Sequence, residues 1–214
     1  MSIRKNSFLA AICLLIGIPL WLAGLPLSDG KLAERLGSQV LRFHVIADSN
    51  RDFDQELKLS VRSFLLGRIY EEVGEGGSKE DIVSFLETDG SALMEETGRF
   101  IQSQGGDYDA RLEIGKSYFP TKVYGDMVFP AGNYDAVKVV LGHGKGRNWW
   151  CVLYPSLCFI SDTQAVVPDS SKDQLKSMVA EEDYFSLLSA HPKIHFSLRI
   201  SEWWDNLWDK DSKS

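Results

Sequence analysis

The feature that most constrains this chain is a change of hydrophobic period partway along it. From Asp52 to about Val73 the apolar residues Phe53, Leu57, Val61, Phe64, Leu65, Ile69 and Val73 recur at helical spacing, with Ser49, Asn50 or Asp52 available as N-cap. A second helix opens at Ser78, where Ser78 and Asp81 match a capping box, and runs through Ile82, Phe85, Leu86, Leu93, Met94 and Ile101. Gly90 and Gly98 are placed to break or bend it. From Tyr108 to Ile160 the period becomes two: Ala110, Leu112 and Ile114 alternate, as do Val137, Val139 and Leu141, and turn residues punctuate the run. Short strands in series with short connections favour antiparallel pairing.

Ahead of both helices, VLRFHVIADSN (Val40–Asn50) is apolar at alternate positions on both faces, which predicts a largely buried core strand closed by turn residues. The expected fold class is therefore α+β, with helices packed on one face of a mostly antiparallel sheet. Beyond Val167, Ser171–Ala190 returns to helical spacing, and His191-Pro192 forms a hinge. The tail carries Ile200, Trp203, Trp204, Leu207 and Trp208 as an aromatic stripe expected to dock on the domain. Residues 30–170 are read as an α+β domain and 171–214 as a C-terminal helical segment with a Trp-rich tail.

The N-terminus is an export segment. Arg4 and Lys5 precede an apolar run from Phe8 to about Leu27, and roughly 20 apolar residues can span a bilayer. The flanking positive charge predicts a cytoplasmic N-terminus and an external body. Residues 1–29 are read as a signal peptide or a signal anchor: Pro19 and Pro26 interrupt the run, and the small-residue cleavage pattern is poor. The formal net charge of −7 argues against nucleic acid as a partner, since that affinity rests on a basic footprint.

Export changes the meaning of Cys151 and Cys158, the cysteines outside the apolar segment. They can pair across Leu153–Ser156, whereas a two-residue turn at Pro155-Ser156 would misalign them. The competing reading makes Cys151 a nucleophile approached by His44 across the sheet. No helix N-terminus follows Cys151 to lower its pKa, so the reading as a small buried hydrophobe is stronger. The glycines of GHGKGR (142–147) lack phosphate-loop spacing, and no Ser or Thr follows Lys145. They are read as a hairpin loop. His191 and His195 have helical metal spacing, but Pro192 separates them and no third ligand is near in sequence, so neither a metal nor a cofactor is expected. Two Phe-Pro steps, Phe119-Pro120 and Phe129-Pro130, bracket YGDMV, and Trp149 and Trp150 follow. Adjacent strand residues face opposite ways, so one tryptophan fills the core and the other lies outward as a recognition residue.

The combination of LRFHVIADSN, FPTKVYGDMVFPAGNYDAVKVVLGHGKGRNWWCVLYPSLCF and an N-terminal export segment resembles the stage II sporulation protein R family. Departures are small: Asp48 stands where the family's strand-end motif has Asn, and Tyr154-Pro155-Ser156 where Phe-Pro-Pro is usual. The resemblance implies a protein made in the forespore and exported into the intermembrane space. There it would activate a membrane-embedded aspartic-type peptidase that removes the pro-sequence of sporulation sigma factor E. No catalysis of its own is implied. The chain would meet that receptor through the Phe119–Phe159 block, with Tyr124, Phe129, Asn148, Trp149 and Trp150 as contacts. The alternative is an extracytoplasmic thiol hydrolase using Cys151 and His44.

Overall fold

The computed structural model describes residues 28–74, 76–158 and 166–189. The apolar stretch expected to direct export, the His191/His195 pair and the Trp-rich tail lie outside the described residues. Among the described residues no helix is long and apolar enough to cross a membrane.

In chain order the elements are α1 (Ser28–Leu36), β1 (Leu41–Ile46), α2 (Asp52–Val73), α3 (Lys79–Ser103), β2 (Ala110–Phe119), β3 (Lys122–Tyr124), β4 (Met127–Phe129), β5 (Gly132–Leu141), β6 (Asn148–Tyr154), α4 (Asp169–Met178) and α5 (Glu181–Ser189). Four strands form one sheet in the order β2-β5-β1-β6, and β3 and β4 form a separate hairpin. The β2–β5 and β1–β6 pairs are antiparallel, while β1 and β5 run parallel. The α+β class stands, with a mixed sheet. The parallel pair is possible because α2, α3 and β2 separate β1 from β5 in sequence, and only a long crossover can join parallel neighbours.

β1 is central and almost wholly buried, as its two apolar faces require. Burying a side chain such as Phe43 or Val45 stabilises the fold by about 1.5–3 kcal/mol. The two long helices lie on the face that carries Phe43, Trp149 and Leu153: the Tyr70 hydroxyl donates to the Leu153 carbonyl at 2.8 Å. Ser78 and Asp81 make the expected capping box at the start of α3. Arg51 occupies the N-cap of α2 without a side-chain cap, so none of Ser49, Asn50 and Asp52 takes that position. Gly90 and Gly98 neither break nor end α3. Both are buried, and a Cβ on Gly90 would stand 2.7 Å from Leu112, so the missing side chain lets helix and sheet approach.

The other sheet face is partly covered by the β3–β4 hairpin, against which α5 packs. The helical spacing expected over Ser171–Ala190 is met by two helices, α4 and α5, with Val179 extended between them. The expected boundary at residue 170 falls inside α4, and Leu175 and Leu187 are buried in the same core as the sheet. Arg35 of α1 donates through Nε to both carboxylate oxygens of Asp183 in α5 at 2.9 Å.

The glycine loop is not a hairpin loop. β6 follows β5 closely in sequence but pairs with β1, so residues 142–147 pass over the end of β1 to reach the far side. Strands spaced about 4.8 Å apart make this a span of roughly 10 Å, within reach of six residues. That crossing brings the two distinctive sequence motifs together.

Candidate functional site

Parallel strands β1 and β5 end at the same edge of the sheet, and their following loops, 47–51 and 142–147, interlock there. The Asp48 carboxylate accepts from the His143 backbone N–H at 2.7 Å and lies 2.8 Å from His143 Nδ1. The Asp48 carbonyl accepts from Lys145 N–H and the Ala47 carbonyl from Gly146 N–H, both at 2.9 Å. Asn50 Oδ1 accepts from Arg147 N–H at 2.9 Å, and Lys58 Nζ donates to the Arg147 carbonyl at 3.0 Å. Gly146 is required by contact: a Cβ there would stand 2.3 Å from the Ser49 carbonyl oxygen.

A second layer fixes the first. Asp54 is fully buried and accepts from Ser49 Oγ, from Arg51 Nε at 2.9 Å and from the Tyr108 hydroxyl at 3.1 Å. Burial alone would raise its pKa, but these hydrogen bonds outweigh burial and hold it below the usual carboxylate range. Asp48 is held low mainly by the His143 N–H. The polar groups of both motifs are thus spent on one another. The side chains that project are basic: His143, Lys145, Arg147 and Arg51 are exposed.

Beside this edge, Trp150 stacks on His44 with ring centroids 4.6 Å apart and planes 4° from parallel. Burial, with Lys138 next, lowers the His44 pKa to about 4, so the imidazole in the stack is neutral at ordinary pH. Further along the same face lies Arg42, fully buried. Its guanidinium carbon lies 4.4 Å from the Phe119 ring centroid and 4.9 Å from that of Tyr134, with Phe129 and Tyr124 farther out. Nε donates to the Cys151 carbonyl at 3.0 Å, and Nη2 reaches the Tyr124 hydroxyl at 3.4 Å. That hydroxyl in turn donates to the Trp150 carbonyl at 3.4 Å, so Arg42 and Tyr124 together fix the backbone beneath the tryptophans.

The five expected contact residues divide. Tyr124 and Phe129 are buried, which corrects the expectation that they meet a partner: they support β6 from below. Asn148, Trp149 and Trp150 are half-buried at the surface end of β6. The tryptophans point to opposite faces, but neither is wholly core. Trp149 packs edge-on to Phe43 and lies under the Arg62 guanidinium at 4.6 Å, while Trp150 stacks on His44.

Cys151 and Cys158 form a disulfide with Cα atoms 5.0 Å apart. Residues 157 and 158 do not begin a strand, so the hairpin geometry that would misalign them does not arise. The thiol hydrolase alternative fails on placement. Cys151 pairs with Phe43 and His44 with Trp150, so the sulfur and the imidazole lie on opposite faces of the sheet. Among the described residues no cluster of His, Cys, Asp and Glu could hold a metal.

Sequence reasoning missed the Asp48–His143 and Asn50–Arg147 contacts and the Arg42 cage. The only available signal was the presence of turn-type residues at the end of a buried strand, and nothing local says which loop they hold.

A family model described as stage II sporulation protein R matches residues 37–164, a span that contains both interlocking loops. Stage II sporulation protein R of Bacillus subtilis (strain 168) is 36% identical over 143 residues, which cover 64% of this chain and 62% of that protein. The match therefore spans less than two thirds of the relative's length. No solved structure matches.

Proposed function

This chain belongs to the stage II sporulation protein R family, and from that premise we propose that it is an exported ligand acting in sporulation. In this reading it is secreted from the forespore into the intermembrane space. Its N-terminal segment either is cleaved or anchors it. It binds and activates a membrane-embedded aspartic-type peptidase of the mother cell, which then processes pro-sigma-E.

The observation that carries the reading is the interlocked loop pair. Asp48 and Asn50 are used to hold residues 142–147 in one conformation, and the result presents His143, Lys145 and Arg147 on a chain whose net charge is −7. A preorganised basic knob on an acidic molecule suits recognition of an acidic surface: charge steers encounter and fixes register, and rigidity lowers the ordering cost of binding. Trp150 and Asn148, at the base of the knob, supply the adjoining half-buried contact.

The test is charge reversal in sporulating cells. A Lys145→Glu/Arg147→Glu variant, secreted and folded normally, is expected to cut pro-sigma-E processing by roughly tenfold or more. Processing at the parental rate would remove the knob from the interface.

A further inference from the structure

A second surface lies away from the loops, along the open edge of β2. This strand is the terminal member of the sheet, and no strand covers its outer side among the described residues. The Asp109 carbonyl accepts from Gly142 N–H at 2.9 Å, and the register from Ala110 to Phe119 is unbroken. The odd-numbered backbone groups therefore serve β5. Those of Leu112, Ile114 and Lys116 point away from the sheet, where only another strand supplies donors and acceptors at matching spacing.

Helix α3 flanks this edge along its length. Where Gly90 meets Leu112 the two touch, and a groove opens on each side of the contact. One groove, of about 410 Å³, has Leu41, Val83, Ile114 and Ala136 as its apolar wall. The other, of about 520 Å³, continues past Met94 towards Ala110. Ile114 remains 37% exposed at the lip of the first. The charge there is uneven. Lys79 and Lys116 both bond to Asp135, at 2.8 and 3.4 Å, whereas Glu80 and Glu87 line the groove with no cation bonded to them among the described residues.

We propose that the β2 edge and the α3 groove accept an extended polypeptide strand that places an apolar side chain against Ile114 and Val83 and a basic side chain beside Glu80 and Glu87. Backbone pairing supplies affinity and the groove supplies choice of sequence, the usual division in strand addition. The inference goes beyond the receptor reading and does not depend on it.

The test uses the full chain and a displayed library of random nine-residue linear peptides. Selected peptides are expected to alternate apolar residues and to carry Lys or Arg beside one of them. They should slow amide hydrogen exchange at Leu112, Ile114 and Lys116, and bind Glu87→Lys roughly tenfold more weakly or worse. Ile114→Pro removes an outward N–H while sparing the β5 ladder, a change edge strands tolerate, and should abolish binding. Four results would each overturn the proposal. They are no enrichment, binding indifferent to Glu87→Lys, outward amides of Leu112, Ile114 and Lys116 already protected in the free chain, and a concentration-dependent dimer paired β2 to β2.

Discussion

Arg42 shows how one residue holds β6 in place. Its cationic head, buried among four aromatic rings, bonds to the Cys151 carbonyl and the Tyr124 hydroxyl. Arg42→Ala leaves a cavity and strips the carbonyl of its donor, so it is expected to destabilise the fold by about 3 kcal/mol or more, measured by urea unfolding. His44 sets a pH dependence. Its folded pKa of about 4 lies below the ordinary 6.5, so between those values the unfolded chain binds a proton the folded chain refuses. Stability should therefore fall as pH drops from about 6.5 to about 4, by up to about 3 kcal/mol, and His44→Gln should flatten that slope. Asp48 and Asp54 are held below their ordinary 3.8, so their contribution is present above that value and is lost only at lower pH. The sequence marked His44 as alternating with apolar residues but could not say that it stacks on Trp150, because strand register is a tertiary property.

Among the elements, the long helices and the strands from β1 to β6 were legible because burial on one face or two imprints a period on the residues. The route of the 142–147 loop was not, since a six-residue connection with glycines looks the same whether it joins neighbouring strands or passes over a third. Gly146 separates the two cases experimentally: Gly146→Val should cost about 1–3 kcal/mol and weaken signalling by loosening the Asp48 contacts, because its side chain would meet the Ser49 carbonyl. A loop free of β1 would tolerate it. The disulfide closes a small ring with a sequence separation of 7. Its loss in Cys151→Ala/Cys158→Ala should cost about 2 kcal/mol on a chain-entropy account and leave signalling intact in the folded fraction. A thiol enzyme would instead lose all activity while folded.

At the scale of the whole molecule, the composition is acidic and the N-terminal segment carries an expectation of export, while the family match supports a role in sporulation. What the sequence held but did not display is the opposite charge of the knob. Lys145 and Arg147 are diluted in a chain of 30 Asp and Glu against 23 Lys and Arg, and only the crossing over β1 gathers them beside Arg51. The expected contacts Tyr124 and Phe129 were misplaced for a related reason: aromatic residues in a turn-rich block have the same sequence signature whether they face a partner or cage a buried arginine. The central claim, that this protein is a ligand sufficient to switch on its receptor, is tested most directly by reconstitution. Purified residues 30–214 would be added to membranes bearing the peptidase and pro-sigma-E, and precursor cleavage followed in time. The account predicts cleavage that saturates with added protein, persists in Cys151→Ala/Cys158→Ala and is lost in Lys145→Glu/Arg147→Glu. Absence of cleavage with folded protein, or cleavage that proceeds without the peptidase, would contradict it.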